Sequence, residues 1–92
     1  GWLDRAAPEL RAAVPERVPA GARLTVAVEA SEPVTYTYRY GGKTSAPTQA
    51  PSFTLTALPG EQPLELTATD RSGNETATRY AVQGVPAASV RV

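Results

Sequence analysis

The sequence contains no cysteine, no histidine and no methionine among its 92 residues. Without cysteine there is no disulfide and no catalytic thiol, and without histidine there is no Ser–His nucleophile pair and no histidine-based zinc site. A domain this small also lacks room for the deep cleft in which two carboxyl groups act as acid and base. We therefore predict that the chain is not an enzyme and holds no cofactor.

A charge excess of one sign and a long apolar run are missing as well. Nine basic and nine acidic residues cancel to a formal net charge of zero. These charges are dispersed along the chain, which argues against a nucleic-acid partner. The longest uncharged run, residues 44–60, is interrupted by three prolines and is too polar to span a bilayer. We expect neither nucleic-acid binding nor membrane insertion.

What the sequence does contain is a regular alternation of apolar and polar residues. β-Strands place successive side chains on opposite faces, so each alternating run predicts a strand with one apolar face. The positions that share one face in the five clearest runs are Leu24, Val26 and Val28; Val34, Tyr36, Tyr38 and Tyr40; Phe53, Leu55 and Ala57; Leu64, Leu66 and Ala68; and Thr76, Thr78, Tyr80 and Val82. A weaker run, Leu10, Ala12 and Val14, lies between two prolines and suits an edge strand.

Turn residues separate these runs. Val18-Pro19-Ala20-Gly21 and Asp70-Arg71-Ser72-Gly73 predict type I turns, Pro59-Gly60 predicts a type II turn, and Gly41-Gly42 predicts a two-residue hairpin. Pro8 and Pro15 count against a helix over residues 3–17. The pattern predicts an all-β fold, an antiparallel β-sandwich of about seven strands with no disulfide and no helix.

The stretch LELTATDRSGNE, residues 64–75, resembles the last hairpin of bacterial immunoglobulin-like domains. In those domains a strand ending in T-A-T-D leads into a turn with Gly-Asn and then into a final strand rich in Thr and Ala. Pro8 before the first strand, VPAG before LTV in residues 18–26, and ASEPV at residues 30–34 are also similar to them. The resemblance covers about residues 4–83 and lies near the fibronectin type III end of the class. It implies an immunoglobulin-like sandwich.

The ends of the sequence lack the alternation. We predict a lead-in or linker over residues 1–8, an immunoglobulin-like domain over residues 9–83, and a linker, edge strand or start of a next domain over residues 84–92. A chain that starts at Gly1 and has no methionine is typical of a fragment of a longer protein. Because proteins with such domains are mostly exported, the resemblance implies a bacterial extracellular, periplasmic or cell-envelope location.

The resemblance also implies a function. Such domains space, orient or bind, while catalysis belongs to a neighbour, so we predict a non-catalytic spacer that orients neighbouring domains of the same chain and is monomeric in isolation. The alternative is a carbohydrate-binding or cell-wall-binding module whose partner is cell-wall glycan. A third interpretation is a homotypic assembly unit that pairs through its edge strands.

The candidate binding residues are Tyr36, Tyr38 and Tyr40, which share one face of one predicted strand, together with Trp2. Three rings with hydroxyl tips could stack on sugar or anchor a protein partner. The same face carries Val34, however, which favours the alternative that these rings lie in the core or at its rim. Trp2 lies before the first strand, where it could be an interface anchor or pack against a neighbouring domain.

A weak calcium candidate lies in the last predicted turn, where Asp70, Asn74 and Glu75 crowd one loop and Asp4 could fold back near them. Ca²⁺ takes six to eight oxygen ligands. These residues lack the spacing of a dedicated calcium loop, and turn geometry alone explains an Asp that opens a turn and an Asn that follows a Gly. We therefore predict no metal site and keep this loop as the only candidate.

Overall fold

The computed structural model describes residues 6–86, which form eight β-strands and no helix. The strands are β1 (Leu10–Ala13), β2 (Arg17–Pro19), β3 (Arg23–Ala30), β4 (Thr35–Tyr40), β5 (Lys43–Thr44), β6 (Ser52–Thr56), β7 (Gly60–Thr69) and β8 (Glu75–Val85). Each of the six predicted runs corresponds to one of these strands, because period-two alternation is compatible with a half-buried strand and not with a helix.

The strands form two sheets. A three-stranded sheet has the order β1-β3-β6, and a five-stranded sheet has the order β2-β8-β7-β4-β5. All pairs are antiparallel except β2 with β8, which is parallel. The two sheets bury their inner faces against each other, which confirms the predicted all-β sandwich.

The core lies between the sheets and is built from residues that the alternation places on one face of each strand. Its buried residues are Leu24, Val26, Tyr36, Tyr40, Phe53, Ala57, Leu64, Leu66, Ala68 and Val82. Five of them have no exposed surface: Val26, Leu64, Leu66, Ala68 and Val82. Burying a side chain the size of valine or leucine stabilises a fold by about 1.5–3 kcal/mol.

Two of the predicted turns form as expected. Gly41 and Gly42 both have positive φ, at 62° and 79°, and they connect the antiparallel pair β4–β5. The Gly73 N–H donates to the Asp70 carbonyl at 3.1 Å, which closes the turn between β7 and β8. Glycine is required at these positions because other residues are strained at positive φ.

The turn predicted over Val18–Gly21 is displaced by one residue. The Ala22 N–H donates to the Pro19 carbonyl at 3.0 Å, and Gly21 occupies the third position of this turn with φ at 89°. Positive φ at that position is typical of a type II turn rather than the predicted type I. The displacement frees residues 17–19 to form β2, which the sequence pattern did not predict because three residues are too few to show alternation.

Both ends of the described chain are tied to the sandwich through β8. Pro8 is buried, and its carbonyl accepts a hydrogen bond from the Thr76 hydroxyl at the start of β8. At the other end, β8 continues to Val85 because β2 pairs with residues 83–85. Pro8 and residues 84–85 are therefore part of the hydrogen-bonded sandwich. The described residues contain no helix that could cross a membrane.

Candidate functional site

The tyrosine row lies on the inner face of β4. The exposed fractions of Tyr36 and Tyr40 are 2% and 8%, and Tyr38 is half-buried. β4 lies between β7 and β5 in the five-stranded sheet, and the face that carries these tyrosines contacts Phe53 of the three-stranded sheet. The burial of Tyr36 and Tyr40 therefore agrees with the alternative that they belong to the core.

The rings of the row pack against Phe53 on β6. Tyr38 is stacked on Phe53 with ring centroids 3.7 Å apart and planes 3° from parallel, and Tyr36 approaches Phe53 at 6.1 Å with a tilt of 44°. Aromatic contacts of this kind add to the stability gained from buried area. Because one face of Tyr38 is covered and its two neighbours are buried, the row does not present a three-ring platform for sugar on the surface.

The hydroxyl groups of the buried tyrosines hold two connecting segments in place. The Tyr36 hydroxyl donates to the Ala50 carbonyl at 2.7 Å, and the Tyr40 hydroxyl accepts a hydrogen bond from the Leu58 N–H at 2.8 Å. Burial, together with the neighbouring Tyr38, raises the pKa of the Tyr36 hydroxyl above its usual range. Tyr36 and Tyr40 thus act as positioning residues for the segments on either side of β6.

The Asp70 carboxylate organises the loop between β7 and β8. Its Oδ1 accepts hydrogen bonds from the Ser72 and Asn74 N–H groups, both at 2.9 Å, and its Oδ2 accepts one from the Asn74 amide at 3.2 Å. The exposed fraction of Asp70 is only 6%. The side chain acts as an Asx-type cap of its own turn, which is the usual role of an aspartate that opens a turn.

In the loop considered as a calcium site, the side-chain oxygens of Asp70 already accept hydrogen bonds from the loop itself. Asp70 directs both oxygens at donors of its own loop, Asn74 uses its amide nitrogen as one of those donors, and Glu75 is exposed. Within residues 6–86 no three His, Cys, Asp or Glu side chains lie close enough together to hold a metal ion. Asp4 and Trp2 lie outside the described residues.

The comparison with known proteins gives a fold but no sequence family. Neither a protein-family model nor a curated protein matches the chain. Among solved structures, the fibronectin(III)-like modules of CbhA from Clostridium thermocellum match with a TM-score of 0.70 and 18% sequence identity, covering 88% of this chain and 48% of that one. The chain has a fibronectin-III-like fold. It spans about half the length of that matched chain.

A second structural neighbour is named for a different function, so a similar fold does not determine the function of a chain. A superoxide reductase (neelaredoxin) from Ignicoccus hospitalis matches with a TM-score of 0.60 and 14% identity, covering 85% of this chain and 79% of that one. At such identity the likeness concerns the fold alone. The fibronectin-III-like chain described here has neither histidine nor cysteine, two residue types that commonly bind transition metals.

Sequence reasoning missed one contact that shapes the end of the fibronectin-III-like sandwich. Gly84 lies on β8 beside the segment that precedes β7, and a Cβ atom at Gly84 would come within 1.9 Å of the Leu58 carbonyl oxygen. A glycine inside a strand is a known signal of close backbone approach. The contact was missed because residue 84 was assigned to a possible linker, and a glycine in a linker does not indicate close backbone approach.

Replacing Tyr40 by phenylalanine is expected to lower the free energy of unfolding by about 1–2 kcal/mol, because the part-buried Leu58 N–H loses its acceptor. The matched control is Tyr38→Phe, since no hydrogen bond of the Tyr38 hydroxyl is found within residues 6–86. Urea unfolding followed by circular dichroism measures both. Equal losses for the two variants would show that the Tyr40 hydroxyl does not stabilise the segment at Leu58.

The Asp70 loop predicts a pH-dependent stability. Burial, the largest single influence, raises the pKa of the Asp70 carboxyl. The hydrogen bonds that Asn74 and Ser72 donate, together with a hydrogen bond shared with the Glu32 side chain, outweigh it and lower that pKa below its ordinary value. A carboxyl whose pKa is lower in the folded state stabilises the fold above its unfolded pKa. This contribution is lost as pH falls through the lowered pKa.

Asp70→Asn is therefore expected to lower Tm by several degrees at neutral pH, and this difference from the parent chain should shrink as the pH falls below about 4. Glu75→Gln removes the same charge from an exposed position in the same loop and should change Tm little. Thermal melts from pH 7 down to pH 2 make the comparison. A difference for Asp70→Asn that stayed constant across this range would contradict the assigned role of the carboxylate.

Proposed function

We propose that the chain is a non-catalytic module that spaces and orients neighbouring domains of a larger protein. The observation that carries this proposal is the position at which the backbone enters and leaves the sandwich. The Pro8 carbonyl is bonded to Thr76 at the beginning of β8, whereas the last residue of β8 is Val85. Val85 lies nine residues after Thr76 along β8, and nine steps of extended strand correspond to roughly 30 Å. The chain thus enters and leaves at opposite ends.

The element that connects the two ends is continuous. β7 and β8 pair in register over ten residue pairs, from Gly60 with Gly84 to Thr69 with Glu75. β2 adds a third strand at the exit, where it pairs with residues 83–85, and the Ala20 N–H donates to the Val85 carbonyl at 2.8 Å. A hydrogen-bonded sheet that runs the length of the sandwich transmits the position of one neighbour to the other, which a flexible linker does not.

The setting in which such a spacer works is also part of the proposal. The matched chain of CbhA fibronectin(III)-like modules extends beyond the matched region, since the match covers 48% of it. A sandwich that folds without cysteine is compatible with an exported bacterial protein, and we infer an extracellular or cell-envelope location for the larger protein. The bonds that fix the ends of this module involve backbone groups and the Thr76 hydroxyl, which supports a mechanical rather than a chemical role.

The experiment places the full chain between two folded reporter domains that each carry one nitroxide label, and measures the distance distribution by double electron–electron resonance. The absence of native cysteine makes site-specific labelling of the reporters clean. The matched control replaces the chain by a Gly/Ser segment of equal length. A distribution clearly narrower than that of the control is the expected result. A distribution as broad as that of the control would overturn the spacer function.

A further inference from the structure

The two sheets have four edge strands, and β6 differs from the other three. β1 and β2 each carry an arginine, and β2 also ends in a proline. β5 has only two residues, and one of them is a lysine. Charge, proline and shortness are the features by which proteins prevent edge-to-edge pairing. β6, with the sequence SFTLT, has five residues and none of these features.

The register of β6 determines which of its backbone groups are open. At one end of the pair the Val28 N–H donates to the Pro51 carbonyl at 2.9 Å, and at the other the Ala57 N–H donates to the Ala22 carbonyl at 2.8 Å. Antiparallel pairs alternate, so residues 51, 53, 55 and 57 bond to β3, and the N–H and C=O groups of Ser52, Thr54 and Thr56 point away from it. No backbone partner for these outward groups occurs within residues 6–86.

An apolar groove of about 360 Å³ lies beside the open edge, between β6 and the β4–β5 hairpin. Tyr38, Leu55 and Leu58 contribute its apolar lining. With an exposed fraction of 36%, Leu58 is the one large exposed hydrophobic side chain in the described part of the chain. The open backbone groups and the uncovered apolar surface thus occur side by side.

We propose that β6 pairs antiparallel with β6 of a second copy of this chain, around a two-fold axis at Thr54. In this register Ser52 faces the second copy's Thr56, and Thr54 faces the second copy's Thr54. All outward groups of both strands then form three residue pairs that each exchange two hydrogen bonds. The inward residues Phe53 and Leu55 lie opposite each other across the seam, which places additional cover over the groove.

A second copy fits this edge because the edge is complementary to itself. An isologous contact requires the same patch to pair with itself, and an odd number of outward residues centred on Thr54 meets that requirement. The strand carries no charge, and the formal net charge of the chain is zero, so two copies do not repel each other over long range. A contact based on five residues is small, so we expect weak association, with a dissociation constant on the order of 0.1–1 mM.

The test uses sedimentation equilibrium of the full chain up to about 2 mM, above the expected dissociation constant. Because the axis places residue 54 next to its own copy, Thr54→Lys and Thr54→Glu should each weaken dimerisation at least tenfold. An equimolar mixture of these two variants should restore association, since opposite charges then meet across the seam. Thr25→Lys is the matched control, because Thr25 is the exposed partner of Thr54 on β3 and faces no copy.

Thermal melts establish that each variant is folded, as expected for substitutions of exposed residues. Dimerisation of the parent chain and of Thr25→Lys, its loss in both Thr54 variants and its recovery in their mixture would support the proposed pairing. A parent chain that stays monomeric at the highest concentration would overturn it. Undiminished association of either Thr54 variant, or a mixture that fails to recover, would overturn it equally. The spacer function does not depend on this outcome.

Discussion

Leu66→Ala is expected to destabilise the sandwich strongly. Leu66 is completely buried, and its backbone partners are Tyr38 on β4 and Thr78 on β8. Removing three carbon atoms from such a position loses the transfer free energy and leaves a cavity that neighbouring strands cannot close. We expect a loss of about 3 kcal/mol, which is a large part of the 5–10 kcal/mol or so that holds a domain of this size together.

The measurement is chemical unfolding followed by the far-ultraviolet circular dichroism of the sheets, with Tm as a second readout. For a domain of this length, a loss of 3 kcal/mol corresponds to a fall in Tm of roughly 15 °C. Thr67→Ala is the matched control, because Thr67 is the next residue of the same strand and points to the other face of the sheet. It should cost less than about 1 kcal/mol. Equal losses at the two positions would contradict the assignment of the inner face of β7.

The sequence predicts the sandwich well because its evidence is local. Alternation in a strand records which face is buried, and that face was identified correctly for the residues around Val26 on β3 and around Leu64 on β7. The turns at Gly42 and Gly73 were equally predictable, since positive φ restricts the choice of residue. These features need no knowledge of which strand lies beside which.

Features that depend on distant contacts were not predicted. β2 forms because residues 17–19 meet the end of β8, more than sixty residues later, and nothing within three residues encodes that meeting. The tyrosine row was left open between core and binding surface for the same reason. Alternation shows that three rings share a face, but only the position of Phe53 on the opposite sheet shows what that face contacts.

Recognising the open edge of β6 requires both the local sequence and the order of the strands. The lack of charge and proline in SFTLT is visible in the sequence, but it has no meaning until the strand is known to lie at the edge of its sheet. The same absence would be ordinary in a central strand such as β7, which has a neighbour on either side. The sequence alone allowed us to consider pairing through edge strands, but not to say which strand would pair. The proposal of one particular edge became possible only with the strand order.

Gly84→Ala is expected to disrupt the end of the sandwich at which the chain leaves. A Cβ atom at residue 84 would lie 1.9 Å from the Leu58 carbonyl oxygen, 2.8 Å from the Leu58 carbonyl carbon and 3.3 Å from the Pro59 Cα. All three are backbone atoms, so no rotation of a side chain relieves the overlap. Either the Leu58–Pro59 segment or the last residues of β8 must move. We expect a loss of about 3 kcal/mol, at the upper end of the range for overpacked positions.

Gly60→Ala provides the matched control, because Gly60 is the strand partner of Gly84 and has no atom within 4 Å of the position of an added Cβ. Its φ of 85° makes alanine strained there, at a cost of about 1–2 kcal/mol. The two variants thus separate close backbone contact from backbone conformation at one pair of residues. Amide hydrogen exchange should show lost protection at residues 83–85 in Gly84→Ala only. If both variants lost the same stability and kept the same protection, close approach of the Leu58 segment would not be what fixes the end of β8.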